Sequence, residues 1–210
     1  YPDKWEESSG LDIQPGKLVE DIYAVFQYDW NRMRDDLHKP VDRELWPTPA
    51  HTVNAFYNPL SNTFTMPAGI LQPPYFDPKA DAAENYGGIG AVIGHEISHG
   101  FDDRGRQFDG TGRNRNWWTA ETDDRFMEKA NTLIDQYDGY CPYADACVNG
   151  LGTLGENIGD CGGLQVALHA YRLSLNGQEA PVLDGTTGVQ RFYMGRAQCR
   201  RELRRDQSLR

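Results

Sequence analysis

The 210-residue sequence predicts a mainly α-helical domain with a small β-sheet, on three observations. Apolar residues recur at three- and four-residue steps over several separate stretches, the spacing that lines one face of a helix. Period-two alternation is confined to one short region near residues 52–66. The 39% apolar content is enough to bury one substantial core, and no internal repeat, low-complexity tract or linker divides the chain.

The elements follow in order. Leu18, Ile22, Val25, Phe26, Met33 and Leu37 predict an amphipathic helix over 16–38, which Pro40 ends. Val53, Ala55 and Tyr57 alternate with polar residues, and Asn58-Pro59 and Ser61-Asn62 supply turn chemistry before a second short run over 63–66, so a hairpin is expected. Pro67, Pro73, Pro74 and Pro78 make the next crossing irregular and stiff. A helix over 86–101 is expected despite Gly87, Gly88, Gly90 and Gly94, whose cost in helix propensity points to close packing against another backbone. Thr119 caps a predicted helix running through Phe126, Ala130, Leu133 and Ile134 to about residue 137. Another begins near Leu154 and stops at Asn176-Gly177, and a last one spans 189–204.

The formal charge of -10 argues against a nucleic-acid partner, because no basic stripe is available to displace phosphate counterions. Basic residues do concentrate over 191–210, interspersed with Leu203 and Leu209, and this run reads as a solvated helix face in preference to a binding patch. No stretch approaches the roughly 18 consecutive apolar residues of a membrane helix, so no transmembrane segment is expected in this portion. Cys141 and Cys147 bracket a short loop that a disulfide would close if their Cα atoms approach within about 7 Å, the alternative being two free thiols. A bridge there implies an oxidising compartment. Cys161 and Cys199 are too far apart in sequence to be paired on spacing.

The chemistry centres on His95-Glu96-Ile97-Ser98-His99, an HExxH arrangement. Residues four apart lie about 40° apart around a helix, so both imidazoles can reach one metal ion. Glu96 is rotated by about 100° and can approach the open side of the metal, there taking a proton from water that the metal has made more acidic. Two histidines and a glutamate can equally be a solvated helix face, but the preceding residues 89–94 are small and apolar, and a buried helix makes unpartnered polar groups expensive. Further on, Glu156 and Asp160 lie four apart on the helix expected from Leu154. Glu156 completes a His₂Glu set of the catalytic kind, with a fourth position open, and Asp160 can accept a hydrogen bond from the outer nitrogen of a ligating histidine. The plainer reading of Glu156 alone is a carboxylate placed at the positive end of its helix.

These residues belong to longer blocks: Tyr1-Pro2-Asp3-Lys4-Trp5, Val53 to Pro59, Met66 to Phe76, Tyr86 to Asp103, Asn116 to Thr119 and Thr153 to Asp160. In order and in content they closely resemble the neprilysin and endothelin-converting-enzyme metallopeptidases. The resemblance implies a thermolysin-like zinc metallopeptidase catalytic domain, present here as an incomplete segment over 1–210, that cleaves small peptides. By it, one zinc sits on His95, His99 and Glu156, Glu96 is the general base, and Asp160 orients a zinc histidine. Asn54 and Ala55 match the strand that holds the peptide extended. Ile70, Tyr75 and Val92 match the pocket for the residue following the cut, with ordinary core packing as the alternative. It also implies an extracytoplasmic location: periplasmic, secreted or a surface-anchored ectodomain.

The chain departs from the family in two places. Ala197-Gln198-Cys199-Arg200 stands where the family commonly has Ala-Gln-Val-Trp, so Cys199 and Arg200 replace an apolar pair near that pocket. The family's capping helical domain, the later histidine that stabilises the transition-state oxyanion and the arginine that grips a substrate carbonyl have no match in 1–210, so remaining segments of the parent chain are expected partners. The alternative is a truncated homologue that binds zinc and peptides without cutting them. A purely structural zinc module would leave Glu96 without a role.

Overall fold

The computed structural model describes residues 8–203, within two compact units, 1–47 and 48–210. The opening block at Tyr1 to Trp5, and residues 204–210 of the basic run, lie outside the described residues.

In the first unit the predicted amphipathic helix is α1, Leu18–Asp36, and no residue of it is buried. Asp21 in its first turn accepts a hydrogen bond from the Gln14 N–H at 3.1 Å, which ties the entering chain to the positive end of the helix.

The second unit opens on the expected hairpin, in a form shorter than the alternation suggested. Strand β1, Phe56–Asn58, pairs antiparallel with β2, Thr63–Thr65, with Phe56 opposite Thr65. Asn62 turns the chain at φ 49°, a left-handed conformation that asparagine tolerates.

The glycine-rich helix differs from its expectation of a single run over 86–101. It begins earlier, as α2, Ala82–Asn85, widens into a π-helical turn over Tyr86–Gly90, and continues as α3, Ala91–Ser98. The physical reason lies outside the helix. The Ile89 N–H donates to the Tyr75 carbonyl at 2.8 Å, drawing one donor out of the regular ladder, and the helix accommodates this with a wider turn. Phe101, expected at the end of this helix, sits in the bend that follows.

Helix α4, Ala120–Asp138, is capped by the Thr119 hydroxyl, which accepts from the Thr122 N–H. Helix α5, Leu154–Ser174, ends where Asn176 and Gly177 take φ of 51° and 79°. Helix α6, Gly188–Cys199, starts with a reciprocal cap between Thr187 and Gln190 and stops well short of residue 204. Beyond Gly195 and Arg196 no described residue is fully buried, and Leu203 is fully exposed, so little rewards another turn.

The expected backbone packing occurs between α3 and α5. A Cβ built on Gly94 would lie 2.7 Å from the Gly163 carbonyl oxygen, and one on Gly163 would lie 2.5 Å from the His95 nitrogen. Any larger residue at either position would force the helices apart. Above this contact Ala83, Ala91, Ala167, Tyr171 and Phe192 form one apolar cluster, and Ala55, Ile70, Ile89 and Val92 form another.

The basic run is not the uniformly solvated face that its composition suggests. Arg191 is buried, donating to Asp81 at 2.6 Å and to the Pro181 carbonyl at 2.9 Å, and Arg196 is buried as well. Local charge density does not reveal which arginines have buried partners. Cys141 and Cys147 form the expected disulfide, with Cα atoms 3.9 Å apart, while Cys161 and Cys199 are free thiols.

Candidate metal centre

His95 lies in α3 and His99 closes it, so one helical turn stacks their rings edge to face with centroids 4.6 Å apart. Their Nε2 atoms face each other at 3.1 Å. Glu156, in the first turn of α5, brings Oε2 to 3.3 Å from His95 Nε2 and Oε1 to 3.9 Å from His99 Nε2. The glycine contact between α3 and α5 allows this approach of residues so far apart in sequence.

The outer nitrogens settle what the inner ones can do. His95 Nδ1 lies 3.1 Å from Asp160 Oδ1, and His99 Nδ1 lies 2.7 Å from Asp102 Oδ2. An ionised carboxylate only accepts, so each Nδ1 carries a proton, and in the neutral form of each ring the bare nitrogen is the Nε2 that faces inward. Two lone pairs and a carboxylate thus converge, with one ligand atom from each residue within 4.8 Å of the others. Such a set repels itself unless a cation lies among it. Two imidazoles and one carboxylate match the donor chemistry of zinc, leaving a further coordination position open.

Asp102 was not singled out by the sequence reading, although it falls within the block Tyr86 to Asp103. It is buried in the bend after α3, where its Oδ1 accepts from the Arg104 N–H at 2.8 Å and the Gly105 N–H at 2.7 Å. Burial alone would raise its pKa, but the hydrogen bonds from His99, Gly105 and Arg104 outweigh it and hold the carboxyl below the usual range. The bond to Asp102 in turn raises the pKa of His99. Replacing Asp102 with asparagine is expected to weaken zinc binding by about 10–100-fold, because the ring loses the acceptor that fixes its tautomer. Competition with a chromophoric chelator measures this, and an unchanged affinity would remove Asp102 from the support of the centre.

Asp160 is also held from α6: Arg196 Nη2 donates to its Oδ1, and Arg200 Nη2 lies 3.3 Å from the same atom. Burial alone would raise the Asp160 pKa, but the hydrogen bond with His95 and the charges of Arg196 and Arg200 outweigh it and leave it below its ordinary value. Arg196 is a second residue that sequence reasoning passed over.

A cleft of about 360 Å³ opens onto the three donors, and all five expected substrate-side residues, Asn54, Ala55, Ile70, Tyr75 and Val92, line it. Ile70 and Val92 also belong to a buried apolar cluster, so the packing reading and the cleft reading apply to the same side chains. Glu96, buried, lines the cleft beside the histidines, and the withdrawal of its carboxylate from water raises its pKa, against the opposing effect of His95 and His99.

Fold and site together bring an HExxH helix and a glutamate from a distant helix around one point, the arrangement of zinc metallopeptidases. Residues 54–210 match the model of peptidase family M13, and the chain belongs to that family. It is 49% identical over 168 residues to neprilysin-1 of Caenorhabditis elegans, covering 77% of this chain and 22% of that protein. It is 40% identical over 188 residues to human endothelin-converting enzyme 1, covering 88% of this chain and 24% of the relative. The crystal structure of the Mycobacterium tuberculosis zinc metalloprotease Zmp1 with an inhibitor superposes with a TM-score of 0.86 at 49% identity, covering 95% of this chain and 31% of that one. PepO from Lactobacillus gives a TM-score of 0.78 at 38% identity, over 95% of this chain and 30% of its own. The chain therefore spans about a quarter to a third of the length of these relatives.

Proposed function

We propose that residues 1–210 form the zinc-bearing segment of a thermolysin-like endopeptidase domain that hydrolyses small peptides, with one zinc held by His95, His99 and Glu156. The observation that carries this is the meeting of two bare Nε2 atoms and a carboxylate at the floor of a cleft. When bound, zinc acidifies water and polarises the scissile carbonyl.

The chain's own residues do the rest. Glu96, its carboxylate withdrawn from solvent, takes the proton from the attacking water and returns it to the leaving amine. Asp160 and Asp102 keep the two rings in the tautomer that points Nε2 inward. Asn54 and Ala55, just before β1, hold the substrate backbone extended by strand-like hydrogen bonds. Ile70, Tyr75 and Val92 receive the side chain following the cut. Remaining segments of the parent chain supply the groups that stabilise the oxyanion.

The Cys141–Cys147 disulfide supports an extracytoplasmic setting. Among the described residues no helix is long and apolar enough to cross a membrane. The fraction of the relatives' length that the chain spans favours one second reading: a segment that binds zinc and peptide but turns over only when joined to the rest.

Metal removal tests the proposal. Metal analysis is expected to give one zinc per chain, and chelation to abolish peptide cleavage, with zinc restoring it. If the zinc-replete protein, joined to the remaining segments, cleaves no short peptide, both readings fail and the chain belongs to a homologue that binds zinc and peptides without cutting them.

A further inference from the structure

Three nitrogen donors converge on a single oxygen of Asp160: His95 Nδ1 at 3.1 Å, Arg196 Nη2, and Arg200 Nη2 at 3.3 Å. That oxygen has two lone pairs for the three, so Arg200, which makes the longest contact, is the donor most readily released. Charge counting agrees. Both guanidiniums are permanently charged, and one carboxylate balances only one of them, while the cleft's other carboxylates, Glu96 and Glu156, attend the histidines.

The two arginines are held differently. Arg196 is buried and its Nη1 has no hydrogen-bond partner, whereas the Arg200 side chain is 56% exposed and makes the longer contact. Both line the cleft. The end of α6 that carries them is pinned beside the apolar wall, where the Cys199 thiol donates to the Pro74 carbonyl at 3.1 Å, next to Tyr75.

Building on the peptide-cleft reading, we propose that Arg200, backed by Arg196, makes this end of the cleft a subsite for a substrate carboxylate beyond the scissile bond. Arg196 stays with Asp160 and keeps the histidine oriented. Arg200, the donor most readily released, turns to the incoming carboxylate and can grip it in the bidentate manner of a guanidinium. The carboxylate can come from an acidic side chain or from the end of a short peptide. The chemistry is the same, and the test separates the sources.

The experiment uses zinc-loaded Glu96→Gln protein, so that peptides are bound without being consumed, and calorimetry on four probes. Two are acetylated, amidated tetrapeptides differing only by glutamate or glutamine at the third position. Two are a neutral tetrapeptide as its free acid and as its amide. The carboxylate form of at least one pair is expected to bind about tenfold tighter, a contrast that shrinks with added salt. The first pair reports a side-chain source, the second a chain-terminal one. Arg200→Gln, with zinc content as its check on folding, should reduce the contrast to near unity, and Arg200→Glu should reverse it. Equal affinities within both pairs would overturn the subsite while leaving the peptide cleft in place. Failure of all four peptides to bind would remove the peptide cleft itself, and this inference with it.

Discussion

Replacing Glu96 with glutamine is expected to cut peptide hydrolysis by about 10²–10⁴-fold, the usual contribution of a positioned general base, with zinc content unchanged. The reasoning rests on separating two roles on one helix. His95 and Glu96 are neighbours in α3, but their side chains diverge, one toward the other metal donors and the other along the cleft wall. Glu96 lines the cleft beside Tyr57 of β1, whose backbone works against the effect of burial on its carboxylate. Glutamine has the same shape and fills the same place. What it lacks is a basic oxygen for the proton of the attacking water. Cleavage followed by chromatography, with zinc measured on the same samples, reads both quantities. A Glu96→Gln protein that cuts as fast as the parent would end the proposed mechanism.

Glu156→Ala should give the opposite pattern, loss of metal with little change to the apo fold. The side chain is 72% exposed and its ion-pair contacts go to the two histidines, so its removal leaves no cavity and no buried orphan. Two imidazoles remain, and a site with two protein ligands lacks the third donor of a catalytic zinc centre. The expected fall in zinc affinity exceeds the roughly 10–100-fold typical of a lost supporting group. Competition titration against a chelator gives the affinity, and thermal melting of the metal-free protein gives the fold. Zinc retained at the parent level would take Glu156 out of the ligand set.

How far the sequence could be read depends on whether geometry is local. The pairing of His95 with His99 follows from helical rise alone, and Thr119 and Asn176-Gly177 mark helix ends through their own side chains and backbone. The placement of Glu156 against that pair needed the family resemblance, because nothing in spacing says that α5 crosses α3 at that height. The π-helical turn was hidden because the Tyr75 carbonyl that causes it is distant in sequence. Asp102 escaped notice because its anchorage is a bend, held by backbone N–H groups that carry no sequence signature. Arg196 was concealed within a run of like charges, where burial by Asp160 distinguishes it from its neighbours.

The contact of Gly94 with Gly163 bears finally on which ion the protein admits. Two helices touching backbone to backbone can come no closer, and parting them would open a void between them, so the spacing of the imidazoles and the carboxylate is held from both sides. Calcium, which asks for six to eight oxygen ligands at about 2.3–2.6 Å, meets two nitrogens and a single carboxylate. Small ions content with few nitrogen and oxygen donors meet no such obstacle. The meeting of Glu156 with the two histidines thus depends on two missing methyl groups on the helices, at a distance from any atom that would touch the ion.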